Sequence, residues 1–204
     1  MDTTSVIPVN LETQFRACLE LRYEVYRSLG YLRRDAITDL DRFDCSSLHY
    51  AAVDDSQVVV GTVRLVLPAA RVMPIQRDLD RVEQWCSHMR NKYGIVIDRS
   101  ASLPVMETLE YNNLPMSLLG SERPAELSRI IVAPQCRGQN IARALTEVVI
   151  KNARYLGRDV LFLECIASDV PRYRKYEFEP IVSSLLYPHL TVNNDVVTMR
   201  RRLQ

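Results

Sequence analysis

Apolar residues recur at helical spacing near the N-terminus and then give way to two β-prone runs. The segment from Glu12 to Leu29 contains no Gly or Pro, and its apolar positions predict an amphipathic helix that ends at Gly30. Two runs follow, Leu48 to Val53 and Gln57 to Leu67, on either side of the polar turn Asp54-Asp55-Ser56. We therefore expect a helix followed by an antiparallel hairpin.

The C-terminal part of the chain predicts strands and helices in alternation. The predicted elements are strand Leu127–Val132, helix Ile141–Leu156, strand Asp159–Ile166, helix Pro171–Tyr176, and strands Ile181–Tyr187 and Val196–Arg201. The long helix keeps its apolar positions on one face, and Gly157 follows it as a C-cap. Pro68 to Ala125 has mixed character, with one helix predicted around Leu79 to Tyr93. We interpret it as an insertion in a single domain, residues 1–204, of mixed α/β (α+β) class.

Composition and charge exclude several classes of function. The chain has 204 residues, and 26 Lys+Arg against 25 Asp+Glu leave a formal net charge of +1. This balance argues against nucleic acid or an anionic membrane as the main partner. The five cysteines are odd in number and form no CxxC pair, and the three histidines form no zinc-site spacing with them, so we expect free thiols and no metal site. Neither a transmembrane segment nor a secretory signal is recognisable, which predicts a cytoplasmic protein.

A strand, loop and helix from Glu126 to Leu145 carry the first chemical signal. In the loop, Gly138 lets the backbone approach a ligand, and Arg137 and the first N–H groups of the helix attract an anion. This segment resembles the GNAT N-acyltransferase superfamily. Pro171 to Phe178 resembles the second GNAT signature, in which the residue matching Tyr173 often protonates the departing thiolate. The resemblance implies a mainly antiparallel central sheet flanked by helices, here with a helical insertion at about 68–125.

Two positions depart from the usual GNAT pattern. Asn140 stands where a small residue is usual, and Glu177 stands where a glycine usually precedes the aromatic residue. Asn140 crowds the place where the pyrophosphate of coenzyme A packs, whereas the 4'-phosphopantetheine arm of an acyl carrier protein carries a single phosphate. We therefore expect an acyl donor on that arm and no tightly bound cofactor. The loop residues expected to contact the arm are Arg137, Gly138, Gln139 and Asn140.

Four short segments occur in the same order and at similar spacing as in acyl-homoserine lactone synthases and related long-chain N-acyl amino acid synthases. They are Arg22-Tyr23-Glu24-Val25-Tyr26, Asp41-Arg42-Phe43-Asp44, Gly61-Thr62-Val63-Arg64-Leu65 and Glu126-Leu127-Ser128-Arg129. Together they resemble the polar cluster that shapes the amino-substrate pocket in those families. Adding nearby aromatic residues, the candidate substrate-binding set is Arg22, Tyr26, Tyr31, Asp41, Asp44, Arg64 and Arg129.

Glu126 is the candidate general base, because an α-ammonium must lose a proton before its nitrogen attacks a thioester. The alternative is a salt bridge to Arg129. On a regular strand these two residues point to opposite faces, and the GNAT resemblance implies a β-bulge between them. A backbone N–H freed by the bulge, near Ile131 or Val132, is the candidate oxyanion donor. Tyr173 is either a general acid or an ordinary core tyrosine.

Arg64 also has two interpretations, because it lies inside an otherwise apolar run. A buried arginine is rare unless it is paired, so it either forms an ion pair with Asp41 or Asp44 or binds a ligand directly.

The predicted function is transfer of a long fatty acyl group from acyl carrier protein to the α-amine of an amino acid, with tyrosine as the suggested acceptor. Apolar residues of the insertion would wall the acyl tunnel: Leu79, Val82, Trp85, Met89, Leu103, Val105 and Met106. Three alternatives stay open. These are an acyl-homoserine lactone synthase that consumes S-adenosylmethionine, an N-acetyltransferase that uses acetyl-CoA, and a silent module that binds carrier protein or lipid.

Overall fold

The computed structural model describes residues 4–32, 34–68, 84–88, 90–92, 102–120, 123–182, 186–188 and 194–203. Of the helix predicted around Leu79 to Tyr93, the described residues are helical. Leu79, Val82 and Met89, which were expected to wall an acyl tunnel, lie outside the described residues. No helix in the described ranges has both the length and the apolar character needed to cross a membrane.

Eight strands of the described chain form the central sheet. They are β1 (Ser5–Pro8), β2 (Ser47–Val53), β3 (Val59–Val66), β4 (Pro124–Val132), β5 (Val160–Cys165), β6 (Glu179–Pro180), β7 (Tyr187–Pro188) and β8 (Asp195–Arg202). The order is β1-β2-β3-β4-β5-β8-β6, and β7 also pairs with β8. All neighbours are antiparallel except β4 and β5. The predicted mixed, mainly antiparallel sheet is confirmed.

Helices cover both faces of this sheet. They are α1 (Glu12–Ser28), α2 (Pro104–Tyr111), α3 (Ile141–Tyr155) and the short α4 (Val170–Arg174). The apolar stripe of α3 packs on one face, against Leu65, Leu127 and Leu161. On the other face, Phe15 and Leu19 of α1 pack near β2, and Val105 and Leu109 of α2 pack on Val66 and Phe162. Short 3₁₀ turns occur at Arg42–Ser46, Met116–Leu118, Pro134–Cys136 and Ala167–Asp169.

The structure corrects the prediction in the insertion and near the C-terminus. Helix α2 was not predicted, because eight residues are too few to show a helical period. Strand β4 begins at Pro124, inside the segment interpreted as an insertion. The predicted strand Ile181–Tyr187 is not continuous: Ile181 and Val182 lie in a bend, and Tyr187 belongs to the two-residue strand β7. Residues 183–185 of this prediction lie outside the described residues. Strand β1 was also missed.

Strands β4 and β5 part in the middle of the sheet. Their parallel pairing is limited to Pro124 with Val160, Ala125 with Leu161 and Glu126 with Phe162. Beyond these pairs the strands diverge, although both neighbours, β3 and β8, continue to pair on their outer edges. The inner edges of β4 and β5 therefore face a gap, and this gap positions the site.

Candidate active site

A cavity of about 930 Å³ extends across the gap between β4 and β5. Its wall is built from the end of α1, the loop before α3, the start of α2 and the short helix α4. Twelve of the residues singled out from the sequence line it: Tyr26, Tyr31, Asp41, Arg64, Glu126, Arg129, Ile131, Val132, Arg137, Gly138, Asn140 and Tyr173. The structure thus brings most of the candidate set to one place.

Other candidates do not line the cavity. Trp85 packs on the ring of Phe15, with centroids 5.9 Å apart, and Leu103 and Met106 belong to the core around α2. These three positions and Val105 were expected to wall the acyl tunnel, and Val105 is buried in the core around α2 as well. The remaining candidates outside the cavity lining are Arg22, Asp44 and Gln139.

Glu126 is a buried carboxyl group on β4. Its Oε2 accepts a hydrogen bond from the Val105 N–H at 2.8 Å, at the first turn of α2. Burial raises the pKa of Glu126 well above its usual value, and the nearby Glu164 carboxylate raises it further. Such a group holds a proton more tightly than an exposed carboxylate, so its anion is a stronger base.

Strand β4 has the expected β-bulge, but it lies between Ser128 and Ile131, just beyond the predicted interval from Glu126 to Arg129. Thr62 pairs with Ile131 while Arg64 pairs with Ser128, so β4 has one more residue than β3 in this stretch. Arg129 at the bulge adopts a left-handed conformation with φ 55°. The bulge turns Arg129 toward Asp39 and Asp41, to which its Nε and Nη2 donate at 3.0 and 2.9 Å. Its ion pairs are with these aspartates instead of with Glu126.

Backbone direction after the bulge distinguishes Ile131 from Val132. The Ala133 N–H donates to the Val60 carbonyl at 2.8 Å, toward β3. Because N–H groups alternate along a strand, the N–H of Ile131 also points to β3, whereas that of Val132 points into the gap. Of the two candidates, Val132 has the orientation that an oxyanion donor needs.

A network of buried charges lies next to the cavity. It joins α1, the loop before β2, and strands β3 and β4, and it consists of Arg22, Asp39, Asp41, Asp44, Arg64 and Arg129. Arg22 is fully buried and donates to the Asp39 and Asp44 carboxylates at 2.6 and 2.7 Å. Arg64 donates to Asp41 at 2.7 Å, to Asp44 at 2.9 Å and to the Ser128 hydroxyl at 2.7 Å. The ion pair expected for Arg64 is therefore present with both aspartates.

Electrostatics inside this network follow from burial and pairing. Burial alone would raise the pKa of Asp44, but the guanidinium groups of Arg22 and Arg64 outweigh it and hold that pKa well below its usual range. The adjacent His49 is buried, and burial lowers its pKa to about 4. His49 is therefore neutral at pH 7, and Asp44 stays ionised.

Loop residues before α3 adopt the conformations that a ligand-binding turn requires. Gly138 has φ 84°, and Asn140, the N-cap of α3, has φ 61°. Asparagine tolerates this left-handed conformation better than most residues, which explains how Asn140 occupies a position where a small residue is usual. Both residues are exposed and line the cavity. The first turn of α3 therefore presents its N–H groups to the cavity.

Tyr173 is buried on α4 and lines the cavity. Its hydroxyl accepts a hydrogen bond from Arg172 Nη2 at 3.0 Å, and its ring meets Phe178 edge to face. Burial raises the pKa of Tyr173, so the phenol keeps its proton at neutral pH. The ring belongs to the core and the residue also lines the cavity. This position is compatible with an ordinary core tyrosine and with a general acid.

Sequence reasoning missed two residues of the site, Asp39 and Glu164. Asp39 bridges Arg22 and Arg129, and its signal was its position two residues before Asp41 in a polar loop. Glu164 lines the cavity from β5, and its signal was an acidic residue inside an otherwise apolar strand. Among the described residues, no group of three His, Cys, Asp or Glu side chains could hold a metal ion.

Comparison with known proteins agrees with the geometry. Two family models, each described as an acetyltransferase (GNAT) domain, match residues 21–92 and 101–191. A comparison with curated protein sequences gave no significant match.

Solved structures match over nearly the whole chain. The N-acyl amino acid synthase FeeM from uncultured soil microbes has a TM-score of 0.64 at 13% identity, covering 100% of this chain and 92% of its own. Escherichia coli ElaA has a TM-score of 0.59 at 14% identity and covers 98% of this chain and 99% of its own. An acyl-CoA N-acyltransferase from Pseudomonas aeruginosa has a TM-score of 0.55 at 16% identity, with coverage of 98% and 99%. Two family models with the same description match both parts of the chain, and its fold agrees with that of the solved structures. The chain is therefore a GNAT-type acyltransferase.

Proposed function

We propose that the protein transfers a long-chain fatty acyl group from acyl carrier protein to the α-amine of an amino acid, with tyrosine as the candidate acceptor. The observation that carries this proposal is the cavity of about 930 Å³ across the parted strands. Its volume is near the upper end of the range of small-molecule sites, which suits a long acyl chain and an acceptor together.

Charges on the cavity wall suit a zwitterionic acceptor. Glu126 and Glu164 contribute carboxyl groups to the cavity wall, and Arg42 and Arg129 contribute guanidinium groups. An α-amino acid presents an ammonium and a carboxylate at neutral pH, so it is complementary to this wall. Tyr26 and Tyr31 stand with their rings 5.8 Å apart and offer an aromatic surface for the acceptor side chain.

The loop before α3 supports a phosphopantetheine donor. Gly138 and the first turn of α3 can receive a phosphate, and the exposed Arg137, Arg143 and Arg172 line the outer part of the cavity. A cationic rim favours an acidic carrier protein. The structural neighbour FeeM, described as an N-acyl amino acid synthase, agrees with this choice of reaction.

The reaction would proceed by direct attack of the amine. Glu126 accepts a proton from the acceptor ammonium, and the amine nitrogen then forms a bond to the thioester carbonyl carbon. The Val132 N–H stabilises the oxyanion. Collapse breaks the carbon–sulfur bond, and the departing thiolate takes a proton from Tyr173 or water. The nitrogen releases its second proton to the phenolate or hydroxide formed in this way, and Glu126 returns its proton to solvent. The products are the amide and the thiol of the carrier arm.

Acetyl transfer from acetyl-CoA is the second candidate, because both matching family models describe acetyltransferase domains. The left-handed conformation of Asn140 also leaves the α3 N-terminus exposed to a pyrophosphate. The two candidates differ in donor and in acyl length. Calorimetry with acetyl-CoA distinguishes them, since tight binding would favour the second.

Mass spectrometry of extracts from bacteria that express the protein tests the proposed reaction. We expect long-chain N-acyl amino acids that disappear with Glu126→Gln. The matched control is Glu110→Gln, which removes one exposed carboxylate from α2 and should leave the products unchanged. Acyl-homoserine lactones in the extracts, or neither product from a folded and soluble protein, would contradict the proposal.

A further inference from the structure

Glu164 is a second carboxyl group on the cavity wall that the reaction above does not use. It lies on β5, two residues beyond Phe162, the partner of Glu126 in the parallel pair. Residues two apart on a strand share a face, so Glu126 and Glu164 are on the same side of the sheet where β4 and β5 part. Two carboxyl groups on adjacent strands thus face one cavity.

Hydrogen bonds from neutral groups hold both carboxyl groups in place. The Thr108 and Thr198 hydroxyls donate to Glu164 Oε2 and Oε1 at 3.1 and 3.2 Å. Glu126 receives the Val105 N–H. Helix α2 therefore supplies one donor to each carboxyl, and this arrangement fixes their positions relative to each other.

Other charged groups around the pair are compensated elsewhere. Arg64 and Arg129, from β3 and β4, favour the Glu126 anion, but both form ion pairs with aspartates of the buried network. Glu107, on α2, pairs with Arg42. Tyr187, on β7, is buried, and its pKa is raised chiefly by burial and then by Glu164 and Glu126. Two close carboxylates in such surroundings repel each other, and binding of one proton relieves that repulsion.

We propose that Glu126 and Glu164 hold one proton between them, and that Glu164 is a positioning residue that sets the protonation of the base. This inference rests on the proposed function for its catalytic meaning. The pair then carries one negative charge before reaction. It accepts the proton of the acceptor ammonium, becomes neutral, and returns that proton to solvent after the thiol has left. Glu164 need not contact the acceptor for this role.

Carbon-13 NMR titration of the full chain labelled at the glutamate carboxyl carbons tests the pair without any substrate. Resonances are assigned by their loss in Glu126→Gln and Glu164→Gln. In the wild type we expect the Glu126 resonance to titrate well above its ordinary range. In Glu164→Gln we expect its midpoint to fall by about one pH unit or more, because the neighbouring charge is gone. Glu110→Gln, the exposed control on α2, should leave the midpoint unchanged.

A second variant keeps the test usable if Glu164→Gln does not fold. Thr198→Val removes one hydrogen-bond donor from the Glu164 carboxylate and should move the shared proton toward Glu164, again lowering the Glu126 midpoint. If the titration midpoint of Glu126 stays at its wild-type value in the folded variants, the two carboxyl groups do not share a proton.

Kinetic measurements test the shared proton and the proposed acyl transfer separately. We expect the acid limb of the acyl-transfer pH profile to move to lower pH in Glu164→Gln by the same interval as the NMR midpoint. If the NMR midpoint shifts but the wild type transfers no acyl group, the shared proton is supported and the proposed function is contradicted. If the midpoint does not shift but the wild type is active, the proposed function is supported and the shared proton is contradicted.

Discussion

Arg129 and Asn140, which line the cavity, and Glu177, which follows the lining residue Tyr176, adopt left-handed backbone conformations that L-residues other than glycine do not favour. Arg129 has φ 55° at the bulge, where its guanidinium joins Asp39 to Asp41 and stands over the Tyr26 ring. Asn140 and Glu177 have φ 61° and 63°. Non-glycine residues in this region carry strain that the surrounding structure must compensate. At Arg129 the compensation is visible as two ion pairs.

Glu177 offers the most direct test of that strain. It follows α4, and its side chain is 77% exposed and pairs with Arg201 at 2.6 Å. Exposed ion pairs contribute little, whereas a left-handed non-glycine residue costs about 1 kcal/mol. Glu177→Gly should therefore raise the free energy of unfolding in urea by about 1 kcal/mol. Glu177→Ala loses the same ion pair but keeps the strained backbone, so it should gain nothing. Equal stability of the two variants would show that φ is not the cause.

Helix α3 approaches strand β3 closely at Gly61. A Cβ atom on Gly61 would lie 2.9 Å from Ile141 Cγ2 and 3.1 Å from Leu145 Cδ1. Because Ile141 is β-branched and lies in a helix, its χ1 angle is restricted, so its Cγ2 has little freedom to move unless the helix moves. Gly61 thus sets the distance between β3 and the first turn of α3, and that turn follows the loop of Gly138 and Asn140.

Gly61→Ala should destabilise the protein by about 1–3 kcal/mol through overpacking and displace the start of α3. Urea unfolding measures the first effect, and weaker donor binding reports the second. In the double variant with Ile141→Ala, the two losses should be less than additive, because the smaller side chain leaves room for the new methyl group. Additive losses would mean that the close approach of α3 and β3 is not the cause.

Sequence predicts the long elements well and the short ones poorly, for a physical reason. Helices α1 and α3 have enough turns to show an apolar stripe, whereas α2 has eight residues and β6 only two. These short elements are stabilised by contacts distant in sequence, such as the Val105 N–H with Glu126. Asp39 was missed for the same reason, since its partners Arg22 and Arg129 are 17 and 90 positions away.

At the scale of the whole molecule, the buried charge network connects the N-terminal helix and loop to the central sheet. Asp44 is fully buried and accepts from both Arg22 and Arg64, so it links α1 directly to β3. Breaking a buried ion pair leaves an uncompensated charge, which costs about 3–5 kcal/mol. The network therefore stabilises the fold, and three of its members, Asp41, Arg64 and Arg129, also line the cavity.

Asp44→Asn should lower the free energy of unfolding at pH 7 by about 3–5 kcal/mol. Its effect on pH dependence has a defined sign. The pKa of Asp44 is lower in the folded protein than in the unfolded chain, where it is about 3.9. The Asp44 carboxylate therefore stabilises the folded protein fully above that pH, and this stabilisation is lost as the pH falls toward the pKa of the folded state. Stability of the variant should thus decline less steeply below about pH 4 than that of the wild type. Parallel declines in thermal unfolding would contradict this assignment.

Acyl transfer by the purified protein, with donors compared side by side, tests the central claim most directly. Tyrosine is mixed with hexadecanoyl-acyl carrier protein, hexadecanoyl-CoA or acetyl-CoA, and both thiol release and the amide product are measured. The account predicts N-hexadecanoyl tyrosine, with kcat/KM for the carrier-protein donor exceeding that for acetyl-CoA about 10-fold or more. Preference for acetyl-CoA, or thiol release without an amide, would contradict the account.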